Sequence, residues 1–270
     1  VTPQDATDDD VAALEKPTNF IELGALNVSK DSAKFGEYNG LNQSGPYSIG
    51  NFSYRGGDAY GDGNGTMRWG VNGTDLGTTS RQLGANIANQ GYWNLGFGYD
   101  ELSHNITDTY ETPFLGAMGG NRFTLPTSFG VINTAAPGTN GLTANQKNSL
   151  LPKDVHSDRQ NTSFTAGYNF DKQWSVKLDF NHLDQSGAKL LGVAGQKIGG
   201  AGVGGINTWA GQTPMVLMNP TSYTTDTLNM AANWMGKNGF MTVAYYGSFF
   251  RDNNNSVSFN NPFQTTKPTG

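Results

Sequence analysis

Residues 163–184 read SFTAGYNFDKQWSVKLDFNHLD, and apolar and polar side chains alternate along two consecutive runs of this stretch. The apolar members of the two runs are Phe164, Ala166, Tyr168, Phe170, Trp174, Val176, Leu178 and Phe180. Only Asp171 and Lys172 separate the first run from the second, which begins at Gln173. Successive side chains of a β-strand point to opposite faces, so the pattern predicts a β-hairpin with one apolar and one polar face.

The same alternation recurs along the chain and predicts nine strands in all. Two more hairpins turn at Gln90-Gly91 and at Gly236–Gly239, and a further strand surrounds Met67–Val71. Phe20–Val28 and Tyr47–Arg55 are weaker candidates, because the phase of their alternation is unclear. The predicted strands are close to the ~9–11 residues that a tilted transmembrane strand needs.

The connections between these strands alternate in length. The tight turns are Gln90-Gly91, Asp171-Lys172 and Gly236–Gly239, and the long connections are Asn105–Gln160, Ser186–Ser222 and everything after Asp252. Barrels of the bacterial outer membrane have short periplasmic turns and long extracellular loops. The alternation of short and long connections therefore predicts that the tight turns lie in the periplasm and the long connections outside the cell. It also predicts that the N-terminus lies on the periplasmic side.

The polar face of the predicted strands indicates what lies inside. It consists of Asn, Thr, Ser, Gly, Gln and a few charged residues, which cannot form a dry core without many unsatisfied polar groups. We therefore expect the apolar face to meet lipid and the polar face to line a wet lumen. Aromatic residues near strand ends fit interfacial girdles: Trp93, Phe170, Trp174, Trp234 and Phe249. The predicted lumen-facing residues are Arg68, Asn72, Gln82, Asn86, Asn94, Lys177, Asp179, Asn181, Asn229 and Asn233.

The predicted fold is all-β, an antiparallel transmembrane β-barrel. Residues 1–18 are expected to form a periplasmic N-terminal segment, and residues 19–270 the barrel strands with their extracellular loops. Bacterial single-chain barrels have even strand numbers, and the polar stretch Gln264–Gly270 stands where a closing strand would be expected. Nine strands therefore predict the N-terminal part of a larger barrel, with an eight-stranded barrel as the alternative if one weak N-terminal segment is not a strand.

Composition excludes several other classes of protein. Charged residues make up only 14% of the 270 residues, against roughly 25% in soluble domains, while Gly numbers 37 and aromatics reach 11%. A net charge of −5 argues against a general nucleic-acid binder. The chain has no cysteine, so it cannot form disulfides, covalent c-type haem links or Cys-ligated metal sites. The mean hydropathy of −0.50 is that of a soluble protein. It does not exclude a membrane barrel, because the lipid-facing apolar residues and lumen-facing polar residues of each strand cancel in the average.

No motif predicts catalysis, a bound cofactor or a metal site. Gly56–Asn64 looks like a calcium-binding repeat, but it occurs once and such repeats act as stacked copies. Gly199–Gly204 contains part of a dinucleotide fingerprint without a surrounding βαβ unit. Asp100, Glu101 and His104 are interpreted as polar residues at a strand end. We therefore expect a protein that is not an enzyme.

Several stretches together resemble the N-terminal region of the MtrB/PioB family of outer-membrane barrels. The longest is Tyr99–Thr109 (YDELSHNITDT), followed by Thr112–Gly116 (TPFLG). The others, in the family's order, are Phe35–Leu41, Ile49–Phe52, Gly73–Gly77 with Ser80-Arg81, Asn219-Pro220 with Tyr223–Thr225, and Asn261–Phe263. The resemblance extends over nearly all of the chain.

The resemblance implies a sheath that surrounds a periplasmic multihaem c-type cytochrome and lets its haems carry electrons across the bacterial outer membrane, in iron oxidation or iron reduction. The barrel itself would carry no haem, and a cell-surface multihaem cytochrome could be a further partner. Some metal-reducing members have a C-x-x-C pair near the mature N-terminus, which this chain lacks, so the direction of electron flow stays open. The lumen-facing residues would contact the cytochrome or trapped water.

Two other functions remain compatible with the residues alone. One is a general diffusion porin with an open aqueous channel, which would not co-purify with a haem protein. The other is a soluble, sandwich-like adhesin that binds a partner through its long loops, which would need no detergent.

Overall fold

The structure is a computed structural model of the 270-residue chain and describes residues 18–58, 65–132, 142–195 and 213–263. The segment 1–17, most of the Gly56–Asn64 repeat, the stretch Gly199–Gly204 and the end of the chain after Phe263 lie outside these residues. In the described part, no helix is long and apolar enough to span a membrane.

The described residues form twelve strands and very little helix. The strands are β1 (Phe20–Val28), β2 (Gly45–Gly56), β3 (Met67–Leu76), β4 (Gln82–Asn89), β5 (Trp93–Thr112), β6 (Arg122–Phe123), β7 (Leu151–Asn169), β8 (Trp174–Gly195), β9 (Thr213–Pro220), β10 (Tyr223–Gly236), β11 (Gly239–Asp252) and β12 (Ser258–Phe259). Helix α1 spans Ala144–Asn148, and Thr127–Phe129 form a single 3-10 turn.

Ten of these strands form one antiparallel sheet in the order β1-β2-β3-β4-β5-β7-β8-β10-β11, with β9 paired to β8. The nine strands of the main path are the nine that alternation predicts, including both weak N-terminal ones, so the eight-stranded alternative is wrong. Each strand pairs with the next along the chain, which is the up-and-down arrangement of outer-membrane barrels. Among the described residues β1 and β11 do not pair with each other, so the sheet stays open.

Three of the strands continue well beyond their predicted ends. β5 runs to Thr112, β7 starts at Leu151, and β8 reaches Gly195, where it pairs with the unpredicted strand β9. The long connections predicted at Asn105–Gln160 and Ser186–Ser222 are therefore partly strand. These extensions lose the alternation because they lie beyond the apolar part of the sheet, where no lipid selects one face.

The two ends of the sheet differ, although not as strictly as predicted. We call the end with residues 90–92, 170–173 and 237–238 the turn end, and the opposite end the loop end. Residues 77–81 form a short connection at the loop end. β2 ends at Gly56 and β3 starts at Met67, both at the turn end, so the stretch of chain between them is longer than the tight turns there. Strict alternation of short and long connections was therefore wrong for β2–β3 and β3–β4.

Buried apolar residues concentrate at the loop end. Phe114, Phe123, Val155, Ala188, Leu217 and Met218 form a packed cluster, which we call the cap core. It joins the outer parts of β5, β7 and β8 to the small parallel pair of β6 and β12. The remainder of the sheet has no comparable packing partner among the described residues, and both of its faces are open.

The β1–β2 connection covers an edge of β5. Pairing of β5 with β4 ends at Asp100, opposite Gln82, so the outer part of β5 would have a free edge. The Asn105 backbone N–H donates to the Glu37 carbonyl at 2.9 Å, and the Asn105 side-chain amide donates to the Gly36 carbonyl at 2.8 Å. Residues 29–44 thereby satisfy backbone groups that would otherwise be open to another chain.

The sidedness of the sheet can be tested by labelling this cysteine-free chain. We expect a cysteine introduced at Ser128, exposed at the loop end, to react with a membrane-impermeant maleimide on intact cells. A cysteine at Lys172, in a turn at the opposite end, should react only after the outer membrane is permeabilised. The reverse pattern would show that the loop end faces the periplasm.

Candidate functional site: the polar face of the sheet

The pairing register decides which side chains share a face. Leu178 stands opposite Ala166 on one side and Met230 on the other, whereas Asn181 stands opposite Ser163 and Thr227. Followed from strand to strand, this register places all ten predicted lumen-facing residues on one face, which we call the polar face. Their apolar neighbours lie on the opposite, apolar face.

The polar residues form rows that cross several strands. One row contains Arg68, Asn94 and Lys177, with Ala88 and Gly167 between them. The next row contains Asn86, Asp179 and Asn229, and the Asn229 side-chain amide donates to Asp179 Oδ2 at 3.5 Å. The third row contains Asn72 and Asn181. Both signs of charge therefore lie within a mainly amide and hydroxyl surface.

On the polar face between β3 and β8, polar side chains occupy the space above glycines of the neighbouring strands. A Cβ built on Gly70 would lie 2.7 Å from Asn86 Oδ1, and one built on Gly167 would lie 2.2 Å from Asn94 Oδ1. Asn72 covers Gly84, Thr165 covers Gly96, and Ser163 covers Gly98 in the same way. These polar side chains lie across the backbone of the neighbouring strand because the glycine there has no side chain.

This pairing of glycine with a polar residue was not predicted from the sequence. Its signal is a glycine inside an alternating run, on the polar side, which indicates close approach of another group to the backbone. The partner of each glycine depends on the register between strands, and alternation within one strand does not reveal that register.

The apolar face changes to an ionic surface over one step along the strands. The row Phe97, Phe164, Phe180 and Leu228 is apolar, and the next row toward the loop end contains Tyr99, Thr162, His182 and Asp226. His182 lies 2.6 Å from Asp226 and 3.0 Å from Asp184. Beside them, the Arg81 side chain donates to Glu101 at 2.6 Å. Ionised groups are costly in hydrocarbon, so this step gives the border of the apolar band.

The height of the apolar band agrees with a bilayer. Trp174, at the turn end, pairs with Trp234 and lies eight residues before His182. Eight residues extend about 27 Å along a strand, or about 21 Å in height at a tilt of ~40°, close to the ~25 Å apolar band of outer-membrane barrels. Of the five predicted girdle residues, Trp174, Trp234 and Phe170 lie at one border of the band and Phe249 at the other. Trp93, in the row of Tyr168 and Val176, lies one step inside the turn-end border.

Glu101 and His104, interpreted from the sequence as polar residues at a strand end, have separate partners in the structure. Glu101 pairs with Arg81, whereas the His104 ring stacks on Tyr38 with centroids 4.5 Å apart and lies 3.7 Å from Glu37. In the β1–β2 connection, the hydrogen bond that Lys34 donates to the Glu37 carboxylate lowers the pKa of Glu37. Within the described ranges, no group of three or more His, Asp and Glu residues is placed to hold a metal ion.

Comparison with known proteins agrees with this two-faced sheet. Residues 27–270 match the model of a family described as outer membrane beta-barrel porin, MtrB/PioB. The chain belongs to the MtrB/PioB family. It is therefore a β-barrel porin of the outer membrane, which confirms the predicted fold class, family and location. The family is one of porins rather than a class of enzymes.

A curated relative shows the same likeness over part of its length. The chain is 24% identical over 191 residues to the outer membrane protein MtrB of Shewanella baltica (strain OS185). The match covers 71% of this chain and 24% of the relative, so the chain spans about a quarter of the length of that protein. The soluble sandwich alternative is wrong, because the described strands form a single main sheet in a family of membrane barrels.

Proposed function

We propose that this MtrB/PioB chain forms part of the wall of a porin–cytochrome conduit. In this conduit a periplasmic multihaem c-type cytochrome occupies the lumen, and its haems carry electrons across the outer membrane in iron oxidation or reduction. The observation that supports it is the combination of an apolar band of bilayer height with a polar face on the other side of the same strands. A cell-surface multihaem cytochrome would complete the electron path outside.

The physical requirement for such a wall is simple. A multihaem cytochrome has a polar surface, and polar surface is unstable in hydrocarbon without hydrogen-bond partners. The polar face supplies amides, hydroxyls and both signs of charge, while Leu178, Phe180 and their neighbours face the lipid. The Asn86 side chain lies across Gly70 and adds its amide group to this polar face.

All haem chemistry in the proposed conduit belongs to the partner. This chain contains no cysteine, and covalent c-type haem attachment needs a C-x-x-C-H motif. The barrel therefore binds, orients and insulates the cytochrome, and it excludes lipid from the haem path.

Reconstitution in liposomes tests this proposal. The barrel together with the cytochrome that co-purifies with it is expected to pass electrons from an outside donor to an enclosed acceptor, while either protein alone is not. The purified barrel alone should show no haem absorbance. The control is a set of liposomes that lack both proteins.

Two outcomes would contradict the proposal that the chain forms part of such a conduit. Passage of a small impermeant donor through the barrel alone, without cytochrome, would favour a general diffusion porin. Failure of any haem protein to co-purify from the native membrane would remove the partner on which the proposal depends.

A further inference from the structure

The apolar face contains a groove inside the apolar band. The groove has a volume of about 690 Å³, almost all of its surface is apolar, and it crosses the neighbouring strands β5, β7, β8, β10 and β11. Small side chains line its middle, namely Ala166, Val176 and Ala232, and the larger Leu178 and Met230 stand beside them. Because β7, β8 and β10 are each paired on both sides, the groove does not arise from the open edge of the sheet.

The depth of the groove selects one leaflet of the membrane. On β8, Trp174 and His182 mark the two borders of the band, Val176 is the next residue on this face after Trp174, and Leu178 lies midway. The groove therefore extends from near the turn-end border to the middle of the band. An unfilled gap forfeits the dispersion contacts of its lining, and the hydrocarbon that reaches this depth belongs to lipids of the leaflet at the turn end.

Two lysines without an ion-pair partner lie beyond the turn-end border, beside the groove. Lys172 is in the turn between β7 and β8, and Lys237 is in the turn between β10 and β11. In the part of the chain that the structure describes, neither amine lies within ion-pair distance of a carboxylate. The carboxylate of Asp171 instead accepts the backbone N–H groups of Gln173 and Trp174, both at 2.7 Å. The two turns therefore offer positive charge at the depth of lipid headgroups.

We infer that the groove binds an acyl chain of an anionic phospholipid and that Lys172 and Lys237 hold the phosphate of the same lipid. The apolar lining takes the chain, and the lysines select the headgroup. A zwitterionic phospholipid carries its own ammonium group, which offsets the attraction, so the anionic class is favoured. This site lies on the face opposite the lumen and does not depend on the cytochrome.

Native mass spectrometry of the complete barrel tests the headgroup part of the inference. The purified barrel is titrated with anionic phosphatidylglycerol or with zwitterionic phosphatidylcholine, and bound lipids are counted on the intact protein. We expect one phosphatidylglycerol to bind about tenfold more tightly than phosphatidylcholine. Lys172→Gln with Lys237→Gln should remove this preference, since each lysine near a membrane surface favours anionic lipid about fivefold. Lys153→Gln, in the part of β7 at the loop end, is the control and should keep it.

A second pair of variants tests the acyl-chain part. Ala232→Trp places a large ring in the groove and should weaken the binding of both lipids about tenfold, because the chain loses apolar contact. Ala85 lies on the apolar face of β4, opposite Phe97 and outside the groove. Ala85→Trp should therefore leave the binding of both lipids unchanged. Heat-dependent mobility on gels checks that each barrel is folded.

Fluorescence quenching repeats the comparison in a bilayer. Trp174 and Trp234 pair at the turn-end border of the apolar face, next to Val176 and Ala232. In phosphatidylcholine vesicles, a small fraction of phosphatidylglycerol with brominated acyl chains should quench tryptophan fluorescence more than the same fraction of brominated phosphatidylcholine. The excess quenching should disappear in the double lysine variant.

Three outcomes would overturn the inference. The first is equal binding of the two lipids to the unsubstituted barrel, and the second is unchanged lipid binding by folded Ala232→Trp. The third is a dimer, or another bound protein, that Ala232→Trp releases while no lipid is retained, because the groove would then be a protein interface. Co-purification of the cytochrome should be the same in all these variants, so this inference and the proposed function fail separately.

Discussion

Leu178→Arg is expected to destabilise the folded barrel in lipid by about 2–4 kcal/mol, the cost of Arg at the midplane on the lipid face of a barrel. Leu178 lies between Trp174 and His182, which mark the two borders of the apolar band on β8. It also pairs with Ala166 and Met230, so its side chain points away from the polar face. Unfolding by guanidinium in lipid vesicles, followed by tryptophan fluorescence, measures the change.

Asn181→Arg is the matched control for this prediction. Asn181 lies on the same strand but on the polar face, opposite Ser163 and Thr227. Lys177, on that face, already carries a charge beside Leu178. The cost at Asn181 should be far smaller, and equal costs at the two positions would mean that the faces are misassigned.

Phe123→Ala is expected to disrupt the packing of the cap core. It should lower the free energy of unfolding of that core by about 3–5 kcal/mol, the usual loss when a buried aromatic ring is removed. Phe123 is only 1% exposed and packs in one cluster with Phe114, Val155 and Met218. Its carbonyl also accepts a hydrogen bond from the Asn260 N–H at 3.0 Å, which ties the β5–β7 connection to the chain that follows β11. Hydrogen exchange measured by mass spectrometry should show lost protection in residues 113–132 and 253–263.

Leu115→Ala is the control for the cap. Leu115 lies in the same connection but is 46% exposed, so its truncation should leave protection nearly unchanged. The strands of the apolar band should keep their protection in both variants, because lipid and neighbouring strands hold them independently of the cap. Equal loss in the band and the cap after Phe123→Ala would show that they unfold as one unit.

The two-residue period was enough to predict most of what spans the membrane. Trp174, Val176, Leu178 and Phe180 share the apolar face because alternation of side chains is a property of any extended strand. The same local rule assigned the ten polar-face residues to one side without knowledge of pairing. It also gave β1 and β2, as weaker candidates because the phase of their alternation is unclear.

Tertiary structure decided the features that depend on which strands are neighbours. Asn86 lies across Gly70 only because β3 and β4 pair in one register, and Phe114 meets Met218 only because distant connections fold together at the loop end. The two-residue period within one strand shows which face of the sheet a side chain occupies. Which side chain lies across which glycine, and how the cap core packs at the loop end, depend on contacts between residues far apart in the chain.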